Sequence, residues 1–307
     1  MTLSVLIQQI LIIVMEIGIG LTAAKCGIIK ESDSKFLSNL VMWVTLPCTL
    51  LASTNVSGGR ETVLLMLMSF GLLISFYLVC TGVCLAISRK LRLTPGQKAV
   101  FIGTTVLPNS AFIGIPLASA ILGQALGTVY GAVGLMAYNL MFFTYVTRLF
   151  QPESKLSFKQ FLTPCNICTA VMILMLLAGL RFPAPVQSFL SAVGNCTTPL
   201  ALMVAGAMLA GSRAMDLLKR PLLYLVTGLR CILFPLVLIL ILRLLPLERT
   251  LCMGVSILAA CPAGSLTAVL ARQYDLEGEL ASQAVAQSTL FILISIPLLL
   301  SLASKLF

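Results

Sequence analysis

One stretch constrains this chain more than any other: Pro108-Asn109-Ser110-Ala111-Phe112-Ile113-Gly114-Ile115-Pro116, inside an apolar run from about 99 to 122. A run of that length suits a helix that crosses a bilayer, yet two prolines and a glycine interrupt it. Each proline removes a backbone donor and clashes with the preceding turn, so an uninterrupted helix is not expected. Backbone groups left unpaired in hydrocarbon are costly, and a broken helix at membrane depth is tolerated where it lines a cavity. In transporters that cavity holds the substrate. Asn109 stands at the break with a donor and an acceptor to offer. The plainer alternative is a proline kink packed by its neighbours.

Composition agrees with a membrane setting. A mean hydropathy of +1.06 and 59 % hydrophobic residues describe a polytopic membrane protein rather than a soluble domain. The first apolar run reads as the first span and not as a cleaved leader. The net charge of +10 is read as basic residues gathered in cytoplasmic loops, and no nucleic-acid partner is expected. The ten cysteines are scattered, mostly within apolar runs, and read as packing residues. Cys165-Asn166-Ile167-Cys168 is a lone pair in a chain without histidine, so no metal site or cofactor is expected.

Ten spans are predicted, at about 3–24, 37–54, 62–88, 99–122, 126–149, 166–183, 188–211, 221–245, 250–272 and 280–303. If the first connector is cytoplasmic, fourteen of the twenty basic residues fall on that side, including Lys155, Arg213 and Lys219, and five on the other. Arg230 lies inside a span. This asymmetry places both termini outside the cytoplasm.

The chain also repeats. A shift of 154 residues carries Pro108-Asn109-Ser110-Ala111 onto Pro262-Ala263-Gly264-Ser265, and a shift of 152 carries Pro47 onto Pro199. Residues 1–150 and 165–307 are thus read as two five-span halves joined by a cytoplasmic linker at 151–164. An odd number of spans inverts the second half. Interrupted spans at equivalent places in inverted halves point to a transporter binding site.

These residues resemble the auxin efflux carrier family, which includes bacterial permeases and the plant PIN exporters. The likeness rests on Asn109 to Pro116 as Asn-x4-Gly-x-Pro, on Pro262-Ala263-Gly264-Ser265, and on Ala271-Arg272-Gln273-Tyr274. It extends through Glu279-Leu280-Ala281-Ser282, Ser288-Thr289 and Ile296-Pro297-Leu298, and back to Gly27-Ile28-Ile29, Leu37-Ser38-Asn39-Leu40 and Thr45-Leu46-Pro47. Without the long central loop of many plant members, the chain looks bacterial in type. The resemblance implies an all-α, sodium/proton-antiporter-like fold. Spans one, two, six and seven would form a scaffold, and spans three to five and eight to ten a moving transport domain, with spans four and nine crossing at their breaks. It also implies a homodimer through the scaffold.

Of the ten acidic residues only Glu16 lies well inside a span, as does only Arg230 among the basic ones. A charge at mid-helix costs about 2.5–3.5 kcal/mol on insertion scales, so each needs a partner or a wet cavity. Each is eight or nine residues from the cytoplasmic end of its span, at about 12–14 Å depth for a rise near 1.5 Å per residue. Three readings stay open: a Glu16–Arg230 pair that acts structurally or as a gate, Arg230 as an anion-binding group, and Glu16 as a proton-titrating group for coupling. The starts of half-helices offer free amides and a positive dipole end. Pro108, Asn109, Ser110, Gly114, Pro116, Pro262, Gly264, Ser265 and Thr267 are therefore the candidate substrate-binding residues. Asn139, Gln283 and Gln287 are candidate polar lining, with interhelical hydrogen bonding as their alternative role.

The expected function is a carrier that moves a small organic anion, a carboxylate or auxin-like acid, across the cell membrane by elevator-type alternating access. An inside-negative potential favours export of an anion by about 2.3 kcal/mol per charge per 100 mV. The alternative is a sodium- or proton-coupled importer of mono- or dicarboxylates, such as malate or malonate, on the same architecture. An enzyme is not expected, since hydrolytic or transfer chemistry generally calls for paired acids, histidine or a metal at depth.

Overall fold

The computed structural model describes residues 3–55, 59–153, 158–210 and 220–307, and within them the named elements are all helices. Lys155, Arg213 and Lys219 lie outside the described residues. Among the described residues, seven helices are long and apolar enough to cross a membrane. They correspond to predicted spans one, two, three, five, seven, eight and ten. The helices at predicted spans four, six and nine are shorter: Ser110–Leu122, Pro164–Ala178 and Arg249–Ala259. Large apolar side chains such as Leu67, Val79, Leu174, Leu244 and Leu298 are exposed. Thr104, Thr105, Ser256, Thr267 and Arg230, by contrast, are fully buried. Apolar surface on this scale belongs against lipid.

Prolines shape several of the helices. The π-helical turns Val41–Thr45, Ser110–Gly114 and Leu229–Leu233 each end two residues before a proline, at Pro47, Pro116 and Pro235. A proline ring clashes with the carbonyl four residues back, and one wide turn makes room for it without ending the helix. Phe234 N–H accordingly reaches back five residues to the Leu229 carbonyl. Starts are marked by side-chain caps. Thr94 and Gln97 exchange side-chain-to-backbone hydrogen bonds of 3.3 Å ahead of Pro95, and Glu248 accepts from the amides of Thr250 and Leu251. Each arrangement satisfies first-turn donors that have no partner within the helix.

Two compact units interleave along the sequence. The first draws on Met1–Gly71, Ala111–Met136 and Leu162–Gly211, and so takes in predicted spans one, two, six and seven together with parts of spans three, four and five. Its helices Leu3–Lys25 and Thr197–Ala210 cross closely at glycines. A Cβ on Gly20 would stand 2.0 Å from the Met203 carbonyl oxygen, and one on Gly206 would stand 2.0 Å from that of Ile17. A polar junction lies in the same unit. The Thr49 hydroxyl is 2.7 Å from that of Thr197, 2.9 Å from the Gly194 carbonyl and 3.0 Å from the Thr45 carbonyl.

The second unit draws on Leu72–Ser110, Ala137–Phe161 and Ser212–Phe307. At its centre the helices Pro95–Val106 and Arg249–Ala259 both stop. The chain crosses itself there in extended form, as an isolated antiparallel bridge between Pro108 and Ala263.

Candidate functional site

The crossing follows from the two proline-marked breaks. Leu107 leaves the first helix in an extended conformation. Asn109 N–H then donates to the Pro262 carbonyl at 2.8 Å, and Gly264 N–H donates to the Leu107 carbonyl at 2.9 Å. Ala263 N–H donates to the Ser288 hydroxyl at 3.1 Å, and that hydroxyl donates to the Val285 carbonyl at 3.0 Å. Each broken segment thus supplies backbone partners for the other, which is how unwound chain can persist away from water. Gly264 is required by close approach: a Cβ there would meet the Tyr138 ring at 2.9 Å and the Pro108 carbonyl oxygen at 3.1 Å.

The carboxyl ends of the two stopped helices meet a buried cation. Arg230, with no exposed surface, donates from Nε to the Cys261 carbonyl at 2.8 Å, from Nη1 to Val106 at 3.0 Å and from Nη2 to Ala259 at 2.8 Å. The wide turn Leu229–Leu233 carries this side chain. Its partners are backbone carbonyls and not a carboxylate. The Glu16–Arg230 pair of the sequence reading is therefore not the arrangement that satisfies the guanidinium. Glu16, half-buried in the first unit, has one carboxylate oxygen without a hydrogen-bond partner among the described residues.

The amino ends are finished differently. Ser265–Gln273 begins after Gly264 with no side-chain cap, and the chain re-enters helix at Ser110. Around these starts are buried hydroxyls that lack hydrogen bonds. The hydroxyls of Tyr138 and Thr267 have no partner among the described residues, although the two residues are 3 % and 0 % exposed. Those of Tyr77 and Ser110, both buried, likewise have no partner among the described residues. Buried hydroxyls are normally satisfied, so these stand out beside a helix start without a side-chain cap.

Of the predicted site residues, the crossing of the second unit gathers Pro108, Asn109, Ser110, Pro262, Gly264, Ser265 and Thr267. Gly114 and Pro116 fall in the first unit, where their turn leads into Ile115–Leu122. There a Cβ on Gly131 would stand 2.9 Å from the Ile115 Cα, the closeness that packs this helix against Gln124–Met141. Asn139 is buried, one residue beyond Tyr138. Gln283 donates to Glu279 at 2.7 Å one turn earlier in its own helix, and Gln287 accepts from Thr227 at 2.6 Å across to Pro221–Gly228. The second bond joins two helices, whereas the first lies within one. Beside Ser265–Gln273 a cavity of about 260 Å³ is lined by residues including Phe142, Phe143, Leu266, Gln273 and Tyr274. Among the described residues, no three of His, Cys, Asp and Glu come together as metal ligands would.

Sequence reasoning missed Tyr77 and Tyr138, and it named Ser288 only within a family motif and not at the crossing. Each is an ordinary helical residue in its local pattern, and only the packing brings it to the crossing. It also missed the carbonyls of Val106, Ala259 and Cys261, because a backbone oxygen leaves no trace in residue identity.

A helical chain with an apolar exterior, several membrane-length spans and buried polar groups where two broken helices cross is a multi-pass membrane protein. The chain belongs to the membrane transport protein family, the auxin efflux carrier family, whose profile matches residues 5–163 and 154–300. It is a transporter by that membership. It is also similar to the uncharacterized transporter MJ1031 of Methanocaldococcus jannaschii, at 23 % identity over 212 residues that cover 66 % of this chain and 68 % of that one.

Proposed function

We propose that this transporter carries a small organic anion, a carboxylate or auxin-like acid, bound where the half-helices start at the crossing. The carrying observation is the contrast between the two kinds of helix end. The negative ends are neutralised by Arg230, whereas the positive end at Ser265 is uncapped and lies among unsatisfied hydroxyls. Such a place attracts negative charge. Asn109, Ser110, Ser265, Thr267 and Tyr138 are the groups that would hold the carboxylate.

In this reading the chain has ten spans in two inverted five-span repeats, both termini lie outside the cytoplasm, and the protein sits in the cell membrane as a homodimer. Elevator-type alternating access carries the crossing between the two sides, and export follows from the membrane potential. The second reading, a sodium- or proton-coupled importer of mono- or dicarboxylates such as malate or malonate, draws on the unpartnered Glu16 oxygen.

Purified protein in liposomes on a solid-supported membrane tests the choice. A panel of small carboxylates is added with and without sodium, across about pH 5 to 8. The expected signal is a current of anion sign that Asn109→Ala abolishes. Silence across the panel sinks the anion assignment, and a cation-sign current that needs sodium or protons establishes the importer.

A further inference from the structure

Two helix carboxyl ends converge on one guanidinium. A helix end carries about half an elementary charge, so the two ends together present about one negative charge, and a single Arg230 cancels it. Three carbonyl oxygens at 2.8 to 3.0 Å surround the donors, with no exposed surface on the residue. No carboxylate among the described residues shares the cation. Carbonyls of unwound chain and of half-helix ends are the ligands from which transporters build their sodium sites. Here the same type of ligand set is already occupied by a cation tethered to the chain.

We propose that Arg230 is the resident counter-cation of the crossing, filling the carbonyl cage that would otherwise recruit a coupling ion, so that the substrate anion is taken up without sodium bound there. The inference rests on the anion reading above and deepens it by assigning the coupling. Only the amino ends of the half-helices then remain uncompensated, and their charge matches one carboxylate. One negative charge should therefore move per substrate molecule.

Arg230 is a positioning residue in this scheme, since it touches carbonyls and not the substrate. Emptying the cage should expose it as a cation site in its own right. The test follows thermal unfolding of detergent-purified full chain with a thiol-reactive dye, in choline, sodium, potassium or millimolar guanidinium chloride. The wild type should unfold at the same temperature in choline and sodium. Arg230→Ala should unfold about 10 °C lower. Guanidinium should restore at least half of that loss, sodium should restore a smaller part, and the wild type should gain from neither. Arg230→Lys, which keeps the charge but not the fork, should lie between, and it carries the test if the alanine variant does not fold.

An alanine variant as stable as wild type overturns the proposal. So does a loss that no cation restores, or a wild type that sodium itself stabilises. These readouts need no substrate. Cation rescue together with silence across the carboxylate panel would remove the anion reading while leaving Arg230 as counter-cation. Anion currents that require sodium would remove the counter-cation role while leaving the anion.

Discussion

The polar junction of the first unit and the crossing of the second are built from similar parts and finished in opposite ways. Both sit near prolines in apolar helices, and both bury hydroxyls and broken backbone. At the junction, Thr49, Thr197 and the Thr45 and Gly194 carbonyls satisfy one another with no charge present. At the crossing the two unwound segments pair with one another, but a cation is buried, one helix start has no side-chain cap and several hydroxyls are left wanting. A closed neutral network holds helices together and asks for nothing more. A network with a charge fixed on one side and donors open on the other has a defined electrical preference for a ligand. Proline breaks alone therefore do not mark a binding site; what matters is which helix ends they expose and what meets them.

Four variants would break or sharpen that contrast. The largest effect is expected for Gly206→Val. Its Cβ would fall 2.0 Å from the Ile17 carbonyl oxygen, so the backbones must part, at a cost of about 3 kcal/mol or more. Thermal unfolding and expression should collapse, and a variant of wild-type stability would show that this contact is not tight in the membrane.

Next is the double change Ser110→Ala with Thr267→Val. Hydrogen bonds to a charged group are worth about 1.5–3 kcal/mol each, so apparent substrate affinity should fall by at least tenfold. Thermal stability should hold or rise, because neither hydroxyl has a completed hydrogen bond to lose. A stability loss with unchanged affinity would make these hydroxyls structural and erase the difference between the two regions.

Thr49→Val should do the reverse. It removes the junction's shared hydroxyl and should cost about 1–2 kcal/mol of stability, with substrate affinity unchanged by equilibrium binding. A selective loss of affinity would mean that the junction also serves the substrate.

The smallest effect is expected for Glu16→Gln. Its unpartnered oxygen makes no bond whose loss would be felt, so transport rates should stay within about twofold and stability within about 0.5 kcal/mol. A transport rate that loses its pH dependence in this variant would bring the proton-coupled importer to the front.

The breaks, the candidate residues around them and the buried charges were legible in the residues themselves. Proline disfavours a regular helix where it stands, so Pro108 and Pro262 pointed to the interruptions, although Pro297 sits inside a helix that continues through it. The 154-residue shift that superposes the two motifs suggested that they belong together. Glu16 and Arg230 stood out because a charge in an apolar run is rare. The pairing of those two charges was the natural guess from sequence, since opposite charges at matching depth attract. The structure gave the guanidinium carbonyl partners instead. A helix end supplies partial negative charge through oxygens that every residue carries, and no side chain advertises them.

What the sequence alone determined about this protein is its class: a membrane chain of many apolar helices, interrupted at two related places, with the motifs of one transporter family. Hydropathy and proline act locally, through each residue's own solvation and its own backbone, so a linear reading captures them. What only the tertiary structure decided is the electrical character of the crossing. That character depends on which helix ends face one another, on Tyr138 lying over Gly264, and on a guanidinium more than a hundred residues from one of its three oxygens. Hydrogen bonds and helix charges add up over space and not along the chain, so the packing sets the charge pattern of the crossing.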